Sequence, residues 1–245
     1  MTYHSETEKF VESDLIAYIG NKRRLIKLIF EAVKKCGINP QEDKALFLDL
    51  FAGTGVVSRL AKAMGFKVVS NDWEEYSRII NTLYIETDEQ ELEKLFDGKF
   101  PQIFHELNSL TQPKEEYIAK YYCPEDDSSP DLDNERMFFT RENGLKIDAI
   151  RERIEELYPE PKTRKEKKAK DILIALLLYE VATRANTSGV FKGFHRGFGG
   201  NGQDALGRIL KKLRLPKPQL VNSPHKNRVY RMDAGKLVQK MKKIE

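Results

Sequence analysis

The chain has 245 residues, a formal net charge of +4 and a hydrophobic fraction of 40%, which suit one large globular domain or a core with an inserted lobe. Cys36 and Cys123 lack metal-ligand spacing, the N-terminus lacks the basic-then-apolar pattern of a signal peptide, and the longest apolar run, residues 172–178, is too short to span a bilayer. Composition therefore predicts a cytoplasmic protein with no metal site and no membrane partner.

The N-terminal part of the chain predicts a polar leader followed by a helix. Residues 1–14 are polar, and residues 18–22 read Tyr-Ile-Gly-Asn-Lys. Between Asn21 and Cys36, apolar side chains recur at the three- and four-residue spacing of an amphipathic helix. Lys22 and the arginines that follow it could equally belong to a solvated face, so a surface role for Lys22 stays open.

The most informative segment is residues 46–58, which read Leu-Phe-Leu-Asp-Leu-Phe-Ala-Gly-Thr-Gly-Val-Val-Ser. This pattern predicts a strand, a tight loop and the start of a helix, with Asp49 and Phe51 at the turn. Gly53 and Gly55 permit positive φ and let a ligand approach the backbone closely. The segment is typical of a loop that binds a nucleoside.

A second short strand, residues 66–70, ends at Asn71-Asp72-Trp73, and Asp72 follows Gly55 by 17 residues. A carboxylate at the tip of the neighbouring parallel strand is placed to accept the two hydroxyls of a ribose. A helix from about Glu74 to Ile85 is expected next, and Asp72 could instead serve only as its N-cap. The two strand ends together predict a nucleoside-binding cleft.

Two residues indicate which nucleoside the cleft binds. A dinucleotide fingerprint places Gly or Ala where this chain has Ser58, and it rarely places an acid inside the preceding strand. A pyrophosphate needs no carboxylate beside it, whereas a cationic cofactor does, so Asp49 favours S-adenosylmethionine over NAD. The alternative is that Asp49 is a structural acid that accepts hydrogen bonds from loop amides.

The middle of the chain is strongly polarised in charge. From Glu86 to Glu135 there are 15 acids against 4 lysines, whereas from Lys192 to Arg231 there are 10 Lys or Arg against one acid. The basic stretch interleaves aromatic residues with Gly and Arg, which suits contact with phosphates and bases. A solvated loop with its aromatics tucked into the core is the alternative. Helices are expected at about 141–157 and through the apolar run.

Five segments, spread from residue 18 to residue 234, carry a resemblance to a known family. The pattern Asp-x-Phe-x-Gly-x-Gly at positions 49–55 resembles motif I of the Dam-like (D12 class) adenine-specific DNA methyltransferases, and Asn71-Asp72 resembles their ribose-binding acid. Residues 18–22 look like the motif that closes over the cofactor. Residues 186–200 are similar to the family's glycine-and-aromatic hairpin that touches DNA, and residues 229–234 resemble its third core strand.

The resemblance implies an α/β fold, a Rossmann-like S-adenosylmethionine-dependent methyltransferase core with a partial sheet and a largely helical inserted target-recognition lobe. Residues 1–85 would form the cofactor-binding part, 86–220 the lobe, and 221–245 the return to the core. The implied cofactor-binding residues are Tyr18, Gly20, Lys22, Asp49, Phe51, Gly53, Gly55, Asp72, Trp73 and Asp233. The implied DNA-binding residues are Lys192, His195, Arg196, Arg208 and Lys211. Asp233 could instead be a strand-end or N-cap residue.

The sequence departs from the family at the catalytic motif. No Asp-Pro-Pro-Tyr or close variant occurs among the 245 residues, so no group here would accept the hydrogen bonds of the adenine amine. We therefore expect the chain alone to be inactive and to present residues 46–51 as an open sheet edge, with catalysis needing a second polypeptide or a continuation that carries the motif. The alternatives are an inactive module that binds S-adenosylmethionine and double-stranded DNA, and an unrelated nucleotide-binding oxidoreductase, which Ser58 and Asp49 disfavour.

Overall fold

The computed structural model describes residues 5–16, 20–40, 42–43, 45–189 and 191–241. Tyr18, which the sequence assigns to the cofactor site, lies outside the described residues. The chain divides into two compact units. Among the described residues, the first unit comprises 5–15, 20–97 and 218–241, and the second comprises residue 16 and 98–217. The functional boundaries at 85/86 and 220/221 stay a prediction.

The described residues form three strands, eleven α-helices and one 3-10 turn. In chain order they are α1 (Ser5–Glu12), the 3-10 turn (Arg23–Leu25), α2 (Ile26–Lys35), β1 (Leu46–Asp49), α3 (Val56–Ala63), β2 (Lys67–Asp72), α4 (Glu75–Tyr84), α5 (Glu89–Leu95), α6 (Phe100–Ser109), α7 (Ile118–Tyr122), α8 (Arg141–Leu157), α9 (Arg164–Arg184), α10 (Leu206–Ile209), β3 (Arg228–Arg231) and α11 (Ala234–Met241). The predicted α/β class is confirmed.

The first unit is built on a parallel sheet with the strand order β1-β2-β3. Leu48 lies beside Val69 in the first pairing, and Asn71 lies beside Tyr230 in the second. Parallel strands need crossover connections, which α3 supplies between β1 and β2. Because all three strands point the same way, their carboxyl ends meet at one edge of the sheet, where ligands bind in open α/β folds.

The core of the first unit lies between β2 and its flanking helices. Leu60 on α3, Val68 on β2 and Leu83 on α4 are almost fully buried, and each contributes about 1.5–3 kcal/mol through the removal of its side chain from water. By contrast, β1 lies at an edge of the sheet, and its Leu46 is 41% exposed. Among the strands that the structure describes, β1 pairs with β2 alone.

The helix expected over residues 21–36 is confirmed as α2, but its first turn differs. The Asn21 side chain accepts a hydrogen bond of 2.7 Å from the backbone N–H of Arg23. This local bond competes with helical backbone pairing, so the chain makes a 3-10 turn before α2 begins at Ile26.

Helix α3 buries two cations that its apolar pattern does not reveal. The Arg59 guanidinium lies 3.4 Å from the Tyr84 ring centroid, and its Nη1 donates to the Ser13 carbonyl at 2.7 Å. Lys62 donates from Nζ to the carbonyls of Tyr84 and Thr87, at 2.9 and 2.7 Å, next to the C-terminus of α4. These bonds, and the stacking on Tyr84, offset the cost of burying each charge.

The second unit is helical, and its long helices begin at side-chain caps. Thr140 accepts from the Asn143 N–H at the start of α8, and Thr163 forms a reciprocal capping box with Glu166 at the start of α9. The buried Asp148 of α8 accepts from two backbone N–H groups at the start of α7, at Ile118 and Ala119, both at 2.9 Å. The predicted helix over residues 141–157 is confirmed.

Two features are absent from the described residues. No helix among them is both long and apolar enough to cross a lipid bilayer. Within the same residues, no group of three or more His, Cys, Asp or Glu side chains could hold a metal ion.

Candidate functional site

The loop between β1 and α3 is a glycine turn that leaves no room for a side chain. Gly53 and Gly55 have φ values of +53° and +80°, a region that L-residues rarely adopt. A Cβ on Gly55 would lie 2.0 Å from Oδ1 of Asn81 on α4. The loop therefore packs directly against α4, and its backbone turns sharply at the carboxyl end of the sheet.

The Gly53 peptide groups are held on both sides of the loop. The N–H of Gly53 donates to Oδ2 of Asp72 at 2.8 Å. Its carbonyl accepts from Ser77 Oγ at 2.6 Å and from Asn81 Nδ2 at 3.2 Å. Ser77 and Asn81 lie one turn apart on α4 and are fully buried. Neither residue was predicted from the sequence, although two polar residues at i and i+4 in a buried helix are a signal that could have revealed them.

Asp72 makes two backbone hydrogen bonds and keeps acceptor capacity for a ligand. Oδ2 accepts from Gly53, while Oδ1 accepts from the N–H of Glu74 at 3.0 Å. Glu74 is the residue before α4, and α4 has no side-chain cap. The helix-capping role that we left open for Asp72 is therefore limited to its hydrogen bond with the N–H of Glu74, the residue before α4. Each carboxylate oxygen has a further lone pair, which suits the hydroxyls of a ribose.

Asp49 lies at the end of β1 and receives a hydrogen bond from α3. Ser58 Oγ lies 2.7 Å from Asp49 Oδ2, and it also lies 3.1 Å from Ser70 Oγ on β2. Burial raises the pKa of Asp49, and the nearby negative charge of Asp72 raises it further, whereas the bonds from Ser58 and from the Phe51 N–H lower it. Two acids at adjacent strand ends create a site that favours a positively charged ligand.

Asn71 joins the ends of all three strands. Its Nδ2 donates to the carbonyls of Leu50 and Met232, at 3.1 and 3.0 Å, and its Oδ1 accepts from the Met232 N–H at 3.2 Å. Its own carbonyl accepts from the Ala52 N–H at 2.9 Å. The side chain is buried, so these bonds fix the relative positions of the three loops that follow the strands.

Two large aromatic side chains stand exposed after β1 and β2. Phe51 is 79% exposed and Trp73 is 68% exposed, although both are among the side chains that gain most from burial. The Trp73 carbonyl accepts from Arg231 Nε at 3.1 Å, which ties this turn to the end of β3. Exposed rings beside a carboxylate offer stacking surfaces for a heterocycle.

Three of the remaining predicted cofactor residues have local partners. Gly20 has a φ of +84°, and the exposed Lys22 donates from Nζ to the Gly20 carbonyl at 2.7 Å. Asp233 Oδ1 accepts from the Lys236 N–H at 2.9 Å and so caps the start of α11. The N-cap role that we left open for Asp233 is therefore observed, and any role of Lys22 or Asp233 toward a cofactor stays a prediction.

In the second unit, Asn186 organises the glycine-rich loop that follows α9. Its Nδ2 donates to the carbonyls of Met137 and His195 at 2.9 and 3.0 Å, and its Oδ1 accepts from the Gly199 N–H at 3.0 Å. The His195 N–H donates in turn to the Asn186 carbonyl at 3.0 Å. The buried Asn186 side chain thus joins the start of the loop to His195 and Gly199 further along it. The sequence pattern did not reveal this role.

The predicted DNA-binding residues fall into two groups. The first group is exposed and consists of Lys192, Arg196 and Lys211. Arg196 Nη2 lies 3.4 Å from Asp133 Oδ1, and an exposed ion pair of this kind contributes little to stability. His195 and Arg208 are half-buried. Arg208 donates to the carbonyls of Thr183 and Ala185 at the end of α9, so its guanidinium is already engaged with the fold.

The aromatic side chains near this loop contact one another. The Phe138 ring stacks on Phe191, with centroids 6.5 Å apart and an interplanar angle of 13°, and meets Phe194 edge-on at 5.0 Å. Part of the aromatic pattern therefore serves packing, as the alternative interpretation held. Phe191 is nevertheless 52% exposed.

Comparison with known proteins gives a family match over most of the chain. The model of the family described as D12 class N6 adenine-specific DNA methyltransferase matches residues 18–230. No solved structure is significantly similar to the chain.

Curated relatives match at about 30% identity. The chain is 32% identical to the Type II methyltransferase M.NlaIII of Neisseria lactamica over 222 residues, which are 90% of this chain and 59% of the relative. It is 30% identical to the modification methylase LlaI of Lactococcus lactis subsp. lactis over 230 residues, 91% of this chain and 33% of the relative. It is 29% identical to the Type II methyltransferase M.FokI of Planomicrobium okeanokoites over 228 residues, which are 91% of this chain and 32% of the relative. The chain thus spans about one third to three fifths of these relatives.

Proposed function

We propose a function from one premise, which is that the chain belongs to the D12 class N6 adenine-specific DNA methyltransferase family. In this proposal the chain supplies the S-adenosylmethionine-binding and DNA-recognition parts of a modification methylase that acts on adenine N6 in double-stranded DNA. Methyl transfer then needs polypeptide that carries the Asp-Pro-Pro-Tyr motif. As an enzyme of DNA without a membrane partner, the protein would act in the cytoplasm.

The observation that carries the proposal is the pair of carboxylates around the glycine loop. Asp49 and Asp72 lie at the ends of adjacent parallel strands, and Gly53 donates directly to Asp72. S-adenosylmethionine has a positive sulfur and amino group, a ribose and an adenine. In our assignment Asp49 faces the positive groups, Asp72 accepts the ribose hydroxyls, and the exposed Trp73 ring stacks on the adenine. When bound, this cofactor supplies the methyl group.

The residues present fit that cofactor better than they fit NAD. Gly55 brings the loop backbone against α4, so the site is shaped by backbone rather than by side chains. An acid at the position of Asp72 suits the ribose of either cofactor, but Asp49 beside the loop would repel a pyrophosphate and attract a cation. Tyr18, Gly20, Lys22, Phe51 and Asp233 complete the proposed site by the family resemblance.

DNA recognition is assigned to the basic part of the second unit. The glycine-rich loop presents the exposed charges of Lys192 and Arg196 and the exposed ring of Phe191, and Lys211 presents another exposed charge after α10. Lysine and arginine neutralise phosphates and release counterions, which gives affinity without sequence information. His195 and Arg208 in this proposal support the loop, since both are half-buried.

The need for further polypeptide is supported by the free side of β1. Leu46 is exposed, Phe47 and Leu48 are only half-buried, and β2 is the one described neighbour of this strand. An apolar strand with an unpaired edge recruits another strand or aggregates. We propose that the strand preceding an Asp-Pro-Pro-Tyr motif pairs with β1, whether it continues this chain or belongs to a second chain.

The test is co-expression of this chain with a fragment of a related methylase that begins at the strand before Asp-Pro-Pro-Tyr. Transfer of labelled methyl groups to adenine in duplex DNA is then measured for each polypeptide alone and for the pair. We expect activity from the pair and none from either part. Methyl transfer by this chain alone would overturn the proposal that catalysis needs further polypeptide with the Asp-Pro-Pro-Tyr motif.

A second candidate is a module that binds S-adenosylmethionine and DNA without catalysis, which the lack of the motif among the 245 residues favours. The same experiment separates the two functions. A module of this kind would bind both ligands and stay inactive with every catalytic fragment supplied to it.

A further inference from the structure

Two buried serines connect α3 and β2 to Asp49. Ser58 on α3 and Ser70 on β2 are both fully buried, and the Ser58 hydroxyl lies 2.7 Å from Asp49 Oδ2 and 3.1 Å from Ser70 Oγ. No comparison assigns a role to either serine. The position of Ser58 is the one that a dinucleotide-binding loop gives to its third glycine.

The direction of these hydrogen bonds follows from the number of protons available. An ionised carboxylate can only accept, and each hydroxyl has a single proton to donate. Ser58 must therefore donate to Asp49, and Ser70 must donate to Ser58. The two hydroxyls form a directed chain that ends at the carboxylate, and a charge-assisted bond of this kind is stronger than one between neutral groups.

We propose that Ser58 is a positioning residue for the cationic part of S-adenosylmethionine, because its hydroxyl keeps Asp49 ionised and fixes the orientation of the carboxylate. The inference rests on the proposed function of this site. Ser58 itself is buried and acts only through Asp49. The remaining lone pairs of the Asp49 carboxylate stay available for the positive groups of the ligand.

The surroundings of Asp49 make such help necessary. Around the carboxylate, α3 contributes Ser58, the loop contributes the Phe51 N–H, and β2 contributes Asp72 and, through Ser58, Ser70. Burial and the negative Asp72 raise the pKa of Asp49, and the Ser58 bond is the largest of the influences that lower it. Removal of the hydroxyl should therefore raise that pKa further, so Asp49 would lose its charge at a higher pH.

The same hydroxyl explains how a glycine loop can discriminate between ligands. A third glycine or alanine would remove the hydroxyl donor to Asp49 and leave backbone N–H donors such as that of Phe51, so the buried acid would tend toward its neutral form. With Ser58 present, the loop keeps a negative charge where a pyrophosphate would otherwise approach. The proposed preference for a cationic nucleoside thus depends on Ser58 as well as on Asp49.

The experiment measures S-adenosylmethionine affinity of the full chain by calorimetry between pH 5 and pH 8. Ser58→Ala should weaken binding about tenfold at neutral pH, as expected for loss of a hydrogen bond to a charged group, and should move the acid-side loss of affinity to higher pH. Ser77→Ala is the matched control, since it also removes a buried serine hydroxyl from the loop region but not from Asp49. It should weaken binding without moving the pH profile.

Ser70→Ala gives a second measurement that does not alter α3. It leaves the Ser58 bond to Asp49 in place but removes the Ser70 hydroxyl that donates to Ser58. We therefore expect the acid-side loss of affinity to move to higher pH by a smaller amount. Unshifted pH profiles in both Ser58→Ala and Ser70→Ala would overturn the inference. If Ser58→Ala does not fold, the Ser70→Ala profile alone decides it. Failure of the unsubstituted chain to bind at any pH would instead refute the proposed function.

Discussion

Gly53 donates its backbone N–H to Oδ2 of Asp72 at 2.8 Å, which joins the loop after β1 directly to the end of β2. The two residues belong to different sequence motifs, yet they form one hydrogen-bonded unit. The carboxylate of Asp72 is oriented by the loop, and the loop is fixed by the carboxylate. Changes on either side should therefore affect both loop stability and ligand binding.

Asp72→Ala should weaken S-adenosylmethionine binding by about 10- to 100-fold, because it removes a charged acceptor from the proposed ribose site and a partner from the Gly53 N–H. Calorimetric titration measures the affinity. Asp88→Ala is the control, since Asp88 caps α5 through the Glu91 N–H and its loss should cost about 1 kcal/mol of stability without an effect on affinity. Equal affinities for the Asp72 and Asp88 variants would contradict the assignment.

Gly55→Ala should destabilise the fold more than Gly20→Ala does. Both glycines have positive φ, +80° and +84°, so each substitution costs roughly 1–2 kcal/mol in backbone strain. Only at Gly55 would the new Cβ overlap Asn81, whereas Gly20 has open space around it. We expect the difference in free energy of unfolding, measured by chemical denaturation, to be about 1–3 kcal/mol. Similar losses at both positions would show that the loop does not pack against α4 as described.

Asp49→Asn should stabilise the unliganded chain at neutral pH and abolish cofactor binding. The pKa of Asp49 is raised in the folded state, so its contribution to stability is present below the unfolded pKa of about 3.9 and is lost as pH rises through the folded pKa. Asparagine carries no charge and can still accept from Ser58, so it avoids that loss. Thermal unfolding from pH 3 to pH 8 should show a gain for the variant that disappears at acid pH.

The control for this pH dependence is Asp88→Asn, because asparagine caps helices as well as aspartate does and Asp88 lies at the exposed start of α5. This substitution replaces a helix-capping carboxylate rather than the buried one, so it should not reproduce the neutral-pH gain expected for Asp49→Asn. Parallel stability curves for the parent and the Asp49 variant would mean that burial of Asp49 costs the fold nothing.

Arg196→Ala and Lys192→Ala should each weaken duplex DNA binding and lower the slope of log affinity against log salt by about one, as expected for the loss of one phosphate contact. Lys120→Ala removes an exposed lysine from the acidic part of the second unit and serves as the control. Titrations at several salt concentrations measure the slope. An affinity independent of salt, or equal effects from Arg196 and Lys120, would count against this DNA-binding surface.

The sequence predicted the elements that depend on strong local patterns. The β1–loop–α3 segment and the acid after β2 are readable because glycines, an apolar strand and a carboxylate follow one another closely along the chain. Local patterns could not reveal the contacts of Ser77 and Asn81 with Gly53, since these join residues 24 and 28 positions apart. Their geometry depends on how α4 packs against the loop.

The burial of charged side chains is the second feature that the sequence could not predict. Arg59 is fully buried on α3 because Tyr84 and the Ser13 carbonyl receive its guanidinium, and nothing in the helical pattern indicates partners that far away. Arg208 likewise resembles a DNA contact in a basic stretch, yet it donates to the end of α9. Tertiary packing decides whether a positively charged side chain faces solvent or the protein interior, and this packing cannot be inferred from composition.

Calorimetric titration of the purified chain with S-adenosylmethionine and, separately, with NAD decides whether the glycine loop binds a cationic nucleoside cofactor. We expect saturable heat with S-adenosylmethionine, with one site per chain and weaker binding in the Asp72→Ala variant, and no saturable heat with NAD. Clear binding of NAD together with no heat from S-adenosylmethionine would contradict it.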